Sequence, residues 1–113
     1  MKKVMVTETK YRMAISPIRE LAKKGYPIVA ADFESVPFKE RLGFFSKYVS
    51  SKITLGETDE SFCECVMQEA KANSDTSGEK MVLLPGNRKS LTKAMGNSQK
   101  LEACCDFLLP SEE

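Results

Sequence analysis

Three short polar stretches carry the side chains with chemistry to offer. Thr7-Glu8-Thr9-Lys10-Tyr11 follows the apolar run Val4-Met5-Val6, Asp32-Phe33-Glu34 follows "YPIVAA", and Pro85-Gly86-Asn87-Arg88 follows "KMVLL". Lys10 and Arg12 in the first stretch, with Arg88 and Lys89 in the third, offer positive charge to a carboxylate or phosphate, or else are solvated surface charge. Gly86 lets a ligand or a neighbouring backbone come close, or simply makes a tight turn. Asp32 stands where a dinucleotide fold places the carboxylate that bonds a ribose hydroxyl. The plainer reading of Asp32 is an exposed strand-end residue that turns the next loop. Glu8-Thr9-Lys10-Tyr11-Arg12 contains no glycine, and its bulky side chains would block close approach of a pyrophosphate, which argues against a nicotinamide or flavin site.

Catalytic chemistry is thinly provided. The chain has no histidine, no nucleophile beside an evident base and no carboxylate pair whose spacing implies shared work, so no catalytic residue is assigned. Cys63, Cys65, Cys104 and Cys105 form a Cys-x-Cys and a Cys-Cys pair. Neither is the Cys-x-x-Cys knuckle of a structural zinc site, and residues two apart on a helix point in different directions. The cysteines therefore read as small core-filling side chains and no metal is expected. The six methionines read as core filler in the same way.

Composition bounds the function classes. Seventeen basic residues against sixteen acidic ones leave a net charge of +1. A general nucleic-acid binder needs clustered, uncompensated Lys and Arg, so nucleic acid is not an expected partner. No apolar run approaches the length of a membrane span, and the run after Lys2-Lys3 is too short for a signal-peptide core. No membrane association is expected, and the cytoplasm is the expected compartment. A length of 113 residues suits one domain, residues 1–113, with one core.

The elements that must position these residues are legible as alternation. Val4-Met5-Val6 has the continuous apolar character of a strand buried on both faces of a parallel sheet. Ala14, Ile15, Ile18, Leu21 and Ala22 recur at helical spacing, with Ser16-Pro17 in the first turn and Gly25 as the left-handed stop. "YPIVAADF" supplies a second strand, parallel to the first and beside it. "ESVPFKERLGFFSKY" reads as a loop with one helical turn, its Phe38, Phe44 and Phe45 covering a sheet edge or facing the core. "YVSSKITL" is a third strand. Thr58 or Asp59 caps a helix through about Asn73, with Phe62, Val66 and Ala70 on one face. "NSDTSGE" is a polar turn, "KMVLLPG" a fourth strand, Leu91, Ala94 and Met95 a helical face interrupted at Gly96-Asn97, and Leu101 part of a short helical piece. "CDFLLP" is a fifth strand. The expected fold is α/β: a three-layer, Rossmann-like open parallel sheet of four to five strands. Ligands of such sheets bind outside the carboxyl ends of the strands, where the strand order reverses. That rule selects Thr7, Glu8, Thr9, Lys10, Asp32, Gly86, Asn87 and Arg88 as cleft candidates.

"KKVMVTETKYRMAISPIRELAKKGYPIVAADF" resembles the opening of ATP-grasp ligases, especially the carbamoyl-phosphate-synthase-like group. The helix ending in glycine and the strand ending "AD" match that opening. "FFSKYVSSKITL", the strand ending "LLPG" and "LEACCDFLLPSEE" follow in the order and spacing of the rest of that family's N-terminal domain. The resemblance covers nearly the whole chain, although the family's loop glycine is missing here. It implies a pre-ATP-grasp domain that forms one wall of a substrate cleft. It also implies no cofactor in this chain: ATP, magnesium and the phosphoryl chemistry belong to a downstream ATP-grasp module or partner chain.

Three readings follow. The chain is the N-terminal substrate-cleft domain of an ATP-grasp carboxylate-amine or carboxylate-thiol ligase. As an isolated domain it exposes apolar surface where its missing neighbour would pack, with Phe38, Phe44 and Phe45 as candidates for that surface or else core, which leaves room for a homodimer. Alternatively, it is a stand-alone small-ligand or protein-binding module without catalysis. An unrelated doubly wound module, such as a response-regulator-like or sugar-nucleotide-binding domain, is the third reading, but a receiver-like domain wants an acidic cluster after the first strand, where this chain has only Glu8.

Overall fold

Five parallel strands and four helices follow one another in a computed structural model that describes residues 3–8, 15–41, 44, 46–85 and 88–107, with no α-helix among them between the second and third strands and two before the fifth. The elements are β1 (Val4–Thr7), α1 (Ile15–Lys23), β2 (Ile28–Phe33), β3 (Ser51–Leu55), α2 (Asp59–Ser77), β4 (Met81–Leu84), α3 (Arg88–Gly96), α4 (Ser98–Glu102) and β5 (Cys105–Phe107). The sheet order is β3-β2-β1-β4-β5 and every pairing is parallel. This is an open α/β sheet of the Rossmann-like, three-layer kind. Strand order reverses between β1 and β4, which defines the crevice where such sheets bind ligands.

Side chains alternate across a strand, so consecutive residues of β1 feed different layers. Val4 and Val6 join Ile28 and Ile18 of α1 on one face. Met5 joins Val29, Leu83 and the helical residues Phe62, Val66, Ala70, Ala94 and Leu101 on the other. β1 and β2 are buried along their whole length. That burial on both faces explains why they read as continuous apolar runs rather than alternating ones.

Helix ends follow local chemistry. Gly25 takes φ 94° and ends α1 in the left-handed region, a conformation that costs glycine nothing. Thr58 caps α2 with a reciprocal box: its hydroxyl accepts from the Ser61 backbone N–H at 3.1 Å, and Ser61 Oγ accepts from the Thr58 N–H at 3.2 Å. α2 runs on to Ser77, past the expected stop near Asn73, and ends at Gly78 with φ 74°. The polar residues before Gly78 keep helical backbone because only Gly78 adopts the cap conformation cheaply. Asn73 itself is buried, accepting from the Lys3 N–H and donating to the Glu79 carbonyl.

β3 is shorter than "YVSSKITL" suggests. Tyr48 and Val49 precede it as loop residues packed on the α1 face. The connection from β2 to β3 holds one 3-10 turn, Phe38–Glu40, and is pinned by Arg41. The Arg41 guanidinium donates to the Val36 carbonyl at 2.9 Å, to Thr54 Oγ1 at 2.9 Å and to the Phe33 carbonyl at 3.3 Å, and lies 5.3 Å from the Phe44 ring centroid. Phe44 is buried, within the expectation for the phenylalanines of this loop. Phe45 and the last residues of "CDFLLP" lie outside the described residues. Met5 and Met81 fill the core as expected, whereas Met67 and Met95 are exposed. Among the described residues no helix is long and apolar enough to cross a membrane.

Candidate functional site

Thr7, the last residue of β1, and Glu8, the first after it, meet the start of α3 at the point where the strand order reverses. Thr7 is fully buried and Glu8 is 3% exposed. The Thr7 hydroxyl donates to Ser90 Oγ at 2.6 Å, and Ser90 Oγ donates in turn to Glu8 Oε1 at 2.7 Å. The Ser90 backbone N–H donates to the same carboxylate oxygen at 2.5 Å. Ser90 is the third residue of α3, and N–H groups of a first helical turn have no acceptor inside the helix. The Glu8 carboxylate therefore supplies the acceptor that a capping side chain would normally supply, and its charge suits the positive end of the helix.

Glu8 reaches this position through an unusual backbone. Its φ is 56°, and it is the non-glycine residue with positive φ among the described residues. Left-handed geometry costs an L-residue about 1–2 kcal/mol. Hydrogen bonds to a charged group contribute roughly 1.5–3 kcal/mol each, enough to offset that cost. The position directly after β1 is thus where a glycine's conformation is required, and a glutamate holds it.

The second candidate, Asp32, is fully buried, which corrects its reading as an exposed strand-end residue. Its Oδ1 accepts the N–H of Phe33 at 2.9 Å, and its cross-strand neighbour is Thr54. The cause is the place of β2 inside the sheet: β1 pairs it on one side and β3 pairs it through Asp32 and Phe33 on the other, so its end is not an open edge. Burying a carboxylate requires such compensation by hydrogen bonds.

Arg88 opens α3 and is exposed. Thr9, Lys10, Gly86 and Asn87 lie outside the described residues. The structure therefore brings Thr7 and Glu8 together through Ser90, a residue not singled out from sequence, and places Asp32 at the neighbouring strand end.

A second group absent from the sequence reading gathers at the end of β3. Glu57 pairs with Lys89, and its other oxygen accepts the Ser35 N–H at 3.1 Å. Lys89 lies 4.2 Å from the centroid of Phe33, a cation–π distance. Lys93 donates to the Glu57 carbonyl at 2.7 Å and to Asp59 Oδ1 at 3.1 Å. Partial burial pushes the Glu57 carboxyl up, but hydrogen bonds from Lys89 and Ser35 outweigh it and hold the group below its ordinary 4.5. The hydrogen bond and charge of Lys93 likewise lower Asp59. Asp59, Lys89, Thr92, Lys93 and Gly96 line a cavity of ≈ 480 Å³ between α2 and α3. The signal that would have found this group is Gly56, which marks a third strand end. A Cβ there would stand 2.0 Å from Ser61 Oγ, so glycine is required for β3 to meet the start of α2.

The cysteines behave as core residues. Cys63 and Cys105 are buried, Cys65 and Cys104 pack against the same cluster, and burial pushes the Cys63 and Cys105 thiols up. Raised thiols are poor nucleophiles near neutral pH.

Chemically, the arrangement can position polar groups at a crevice: hydroxyls, a carboxylate held by a helix end, and an ion-paired rim. At α3 the Glu8 carboxylate bonds the Ser90 N–H. No family model and no curated protein matches the chain.

Proposed function

We propose that the chain is the substrate-cleft domain of an ATP-grasp carboxylate-amine or carboxylate-thiol ligase, working with a downstream ATP-grasp module or a partner chain. One observation carries the reading: the sheet order reverses between β1 and β4 and gathers Thr7, Glu8 and Ser90 at that reversal. A reduced Rossmann-like sheet with its polar groups at this point suits a domain that shapes a cleft wall. A ligase of this type activates a carboxylate as an acyl phosphate, and an amine or thiol then displaces the phosphate. In that scheme ATP and magnesium sit in the other module, and residues of this chain orient the substrate and exclude water. In this reading the exposed Arg88 faces the substrate, and the buried Thr7, Glu8 and Asp32 fix the strand ends that form the cleft wall.

A stand-alone small-ligand module without catalysis is the second reading, favoured by the ≈ 480 Å³ cavity beside Lys89 and Lys93. Calorimetric titration of ATP with magnesium into the chain tests the proposal. No heat is the expected outcome. Tight nucleotide binding, or ATP turnover by the chain alone, overturns the scaffold reading and makes the chain a nucleotide-binding module in its own right.

A further inference from the structure

We infer that Cys104 and Cys105 form a redox modification site, at which hydrogen peroxide converts the two thiols into a reversible disulfide between neighbouring residues. The inference goes beyond the ligase reading and stands whether or not that reading holds.

The turn between α4 and β5 brings the two sulfurs together. Cys104 closes that turn, its N–H donating to the Leu101 carbonyl at 3.1 Å, and Cys105 is the first residue of β5. Successive residues within a strand point to opposite faces. Cys104 still belongs to the turn and escapes that rule, so its Sγ lies 3.7 Å from Sγ of Cys105. The two thiols differ in access: Cys104 is half-buried, whereas Cys105 is 2% exposed and belongs to the core. One sulfur is open to a small oxidant, and the other lies against it, shielded from water.

Peroxide balances the chemistry. The Cys104 sulfur attacks one peroxide oxygen and the O–O bond breaks, leaving Cys104 as a sulfenic acid and releasing water. The Cys105 sulfur then attacks the Cys104 sulfur: the S–S bond forms, the S–O bond breaks, and hydroxide leaves as water with the Cys105 proton. The two thiols lose two electrons and the peroxide gains them. Burial pushes the Cys105 thiol up, which weakens it as a nucleophile, but a sulfur already in contact with its target reacts as an intramolecular group at high effective concentration. Adjacent Cα atoms stand about 3.8 Å apart, short of the roughly 4.4–6.8 Å across ordinary disulfides. The bond is therefore strained, and small thiols reduce it readily. Transient disulfides of this kind are the ones that suit a reducing compartment.

The test uses the whole chain, reduced, freed of reductant and treated with hydrogen peroxide. Remaining thiols are then alkylated in denaturant and mapped by mass spectrometry. The expected product carries Cys104 and Cys105 joined within one peptide that is lighter by two hydrogens, and dithiothreitol should return both thiols. Cys104→Ser should abolish this loss and leave Cys105 alkylatable. Cys105→Ser and Cys105→Ala should each leave Cys104 as a sulfenic acid that dimedone captures, a capture absent in the wild-type chain. The half-buried Cys104 position tolerates serine, so Cys104→Ser and the wild-type chain decide the question even where the Cys105 variants do not fold. A wild-type chain that keeps both thiols, carries Cys104 as a sulfinic acid, or joins Cys104 to Cys63 or to a second copy overturns the inference. So does oxidation of Cys105 in Cys104→Ser, or dimedone capture at Cys104 as strong in the wild-type chain as in the Cys105 variants.

Discussion

The carboxyl ends of β1 and β4 and the carboxyl ends of β2 and β3 solve the same problem differently. Each must end parallel strands without leaving polar groups stranded. At β1 and β4 the solution is a closed chain, Thr7 hydroxyl to Ser90 hydroxyl to Glu8 carboxylate, away from water. At β2 and β3 it is a buried Arg41 bonded to the β2 end, together with exposed ion pairs beyond β3, Glu57 with Lys89 and Lys93 with Asp59. The difference teaches where charge matters energetically. A buried charged group whose bonds are broken costs several kcal/mol, whereas an exposed pair contributes between about 0 and 1 kcal/mol. The interior halves of both ends should therefore hold the strands together, and the rim should tune the surface.

Replacing Arg41 breaks the interior of the second region and should have the largest effect. Arg41→Ala removes the donors to the Val36 and Phe33 carbonyls and to Thr54 Oγ1. Buried groups that lose their partners cost about 1–3 kcal/mol each, so denaturant unfolding should show a loss of about 3 kcal/mol. If Arg41→Ala is neutral, the loop over β2 and β3 is held by its apolar residues alone. Ser90→Ala attacks the first region more gently: the backbone N–H still binds Glu8, and one hydroxyl is lost. A destabilisation of about 1–2 kcal/mol is expected by the same measurement. An effect as large as that of Arg41→Ala would show that the hydroxyl chain, rather than the amide, holds Glu8.

The smallest effect belongs to the rim and is read through pH. Glu57 and Asp59 have folded-state pKa values below their ordinary ones. Carboxyls lowered by folding contribute stability that is present above the unfolded pKa and lost as pH falls through the folded one. Stability should therefore decline below about pH 4.5, the ordinary value for Glu57. Glu57→Gln should flatten part of that decline while changing the neutral-pH stability little. Thermal melts from pH 3 to 7 in roughly unit steps would show it. An unchanged acid profile in Glu57→Gln would mean that the Lys89 pair adds nothing measurable in solution.

The sequence by itself determined the alternation of strands and helices, because period and local chemistry reside in neighbouring residues. Val4-Met5-Val6 and the IVAA of β2 carry the continuous apolar character of doubly buried strands, Gly25 could stop α1, and Thr58 could cap α2. The parallel pairing of β1 with β2 followed from the short crossover between them. What only the tertiary structure decided involves residues far apart along the chain. Ser90 is polar and ordinary in sequence, and it acquires a role only because β4 lies beside β1 and carries α3 to Glu8. A strand end is normally exposed, but Asp32 is buried because β2 lies inside the sheet with β1 and β3 paired on either side of it. Glu8 carried the deepest ambiguity: one glutamate after a strand is solvated charge, an acid or a cap, according to what stands opposite. Local sequence specifies backbone geometry through short-range sterics, but a carboxylate's role is set by its electrostatic surroundings, and those are assembled only when distant segments pack.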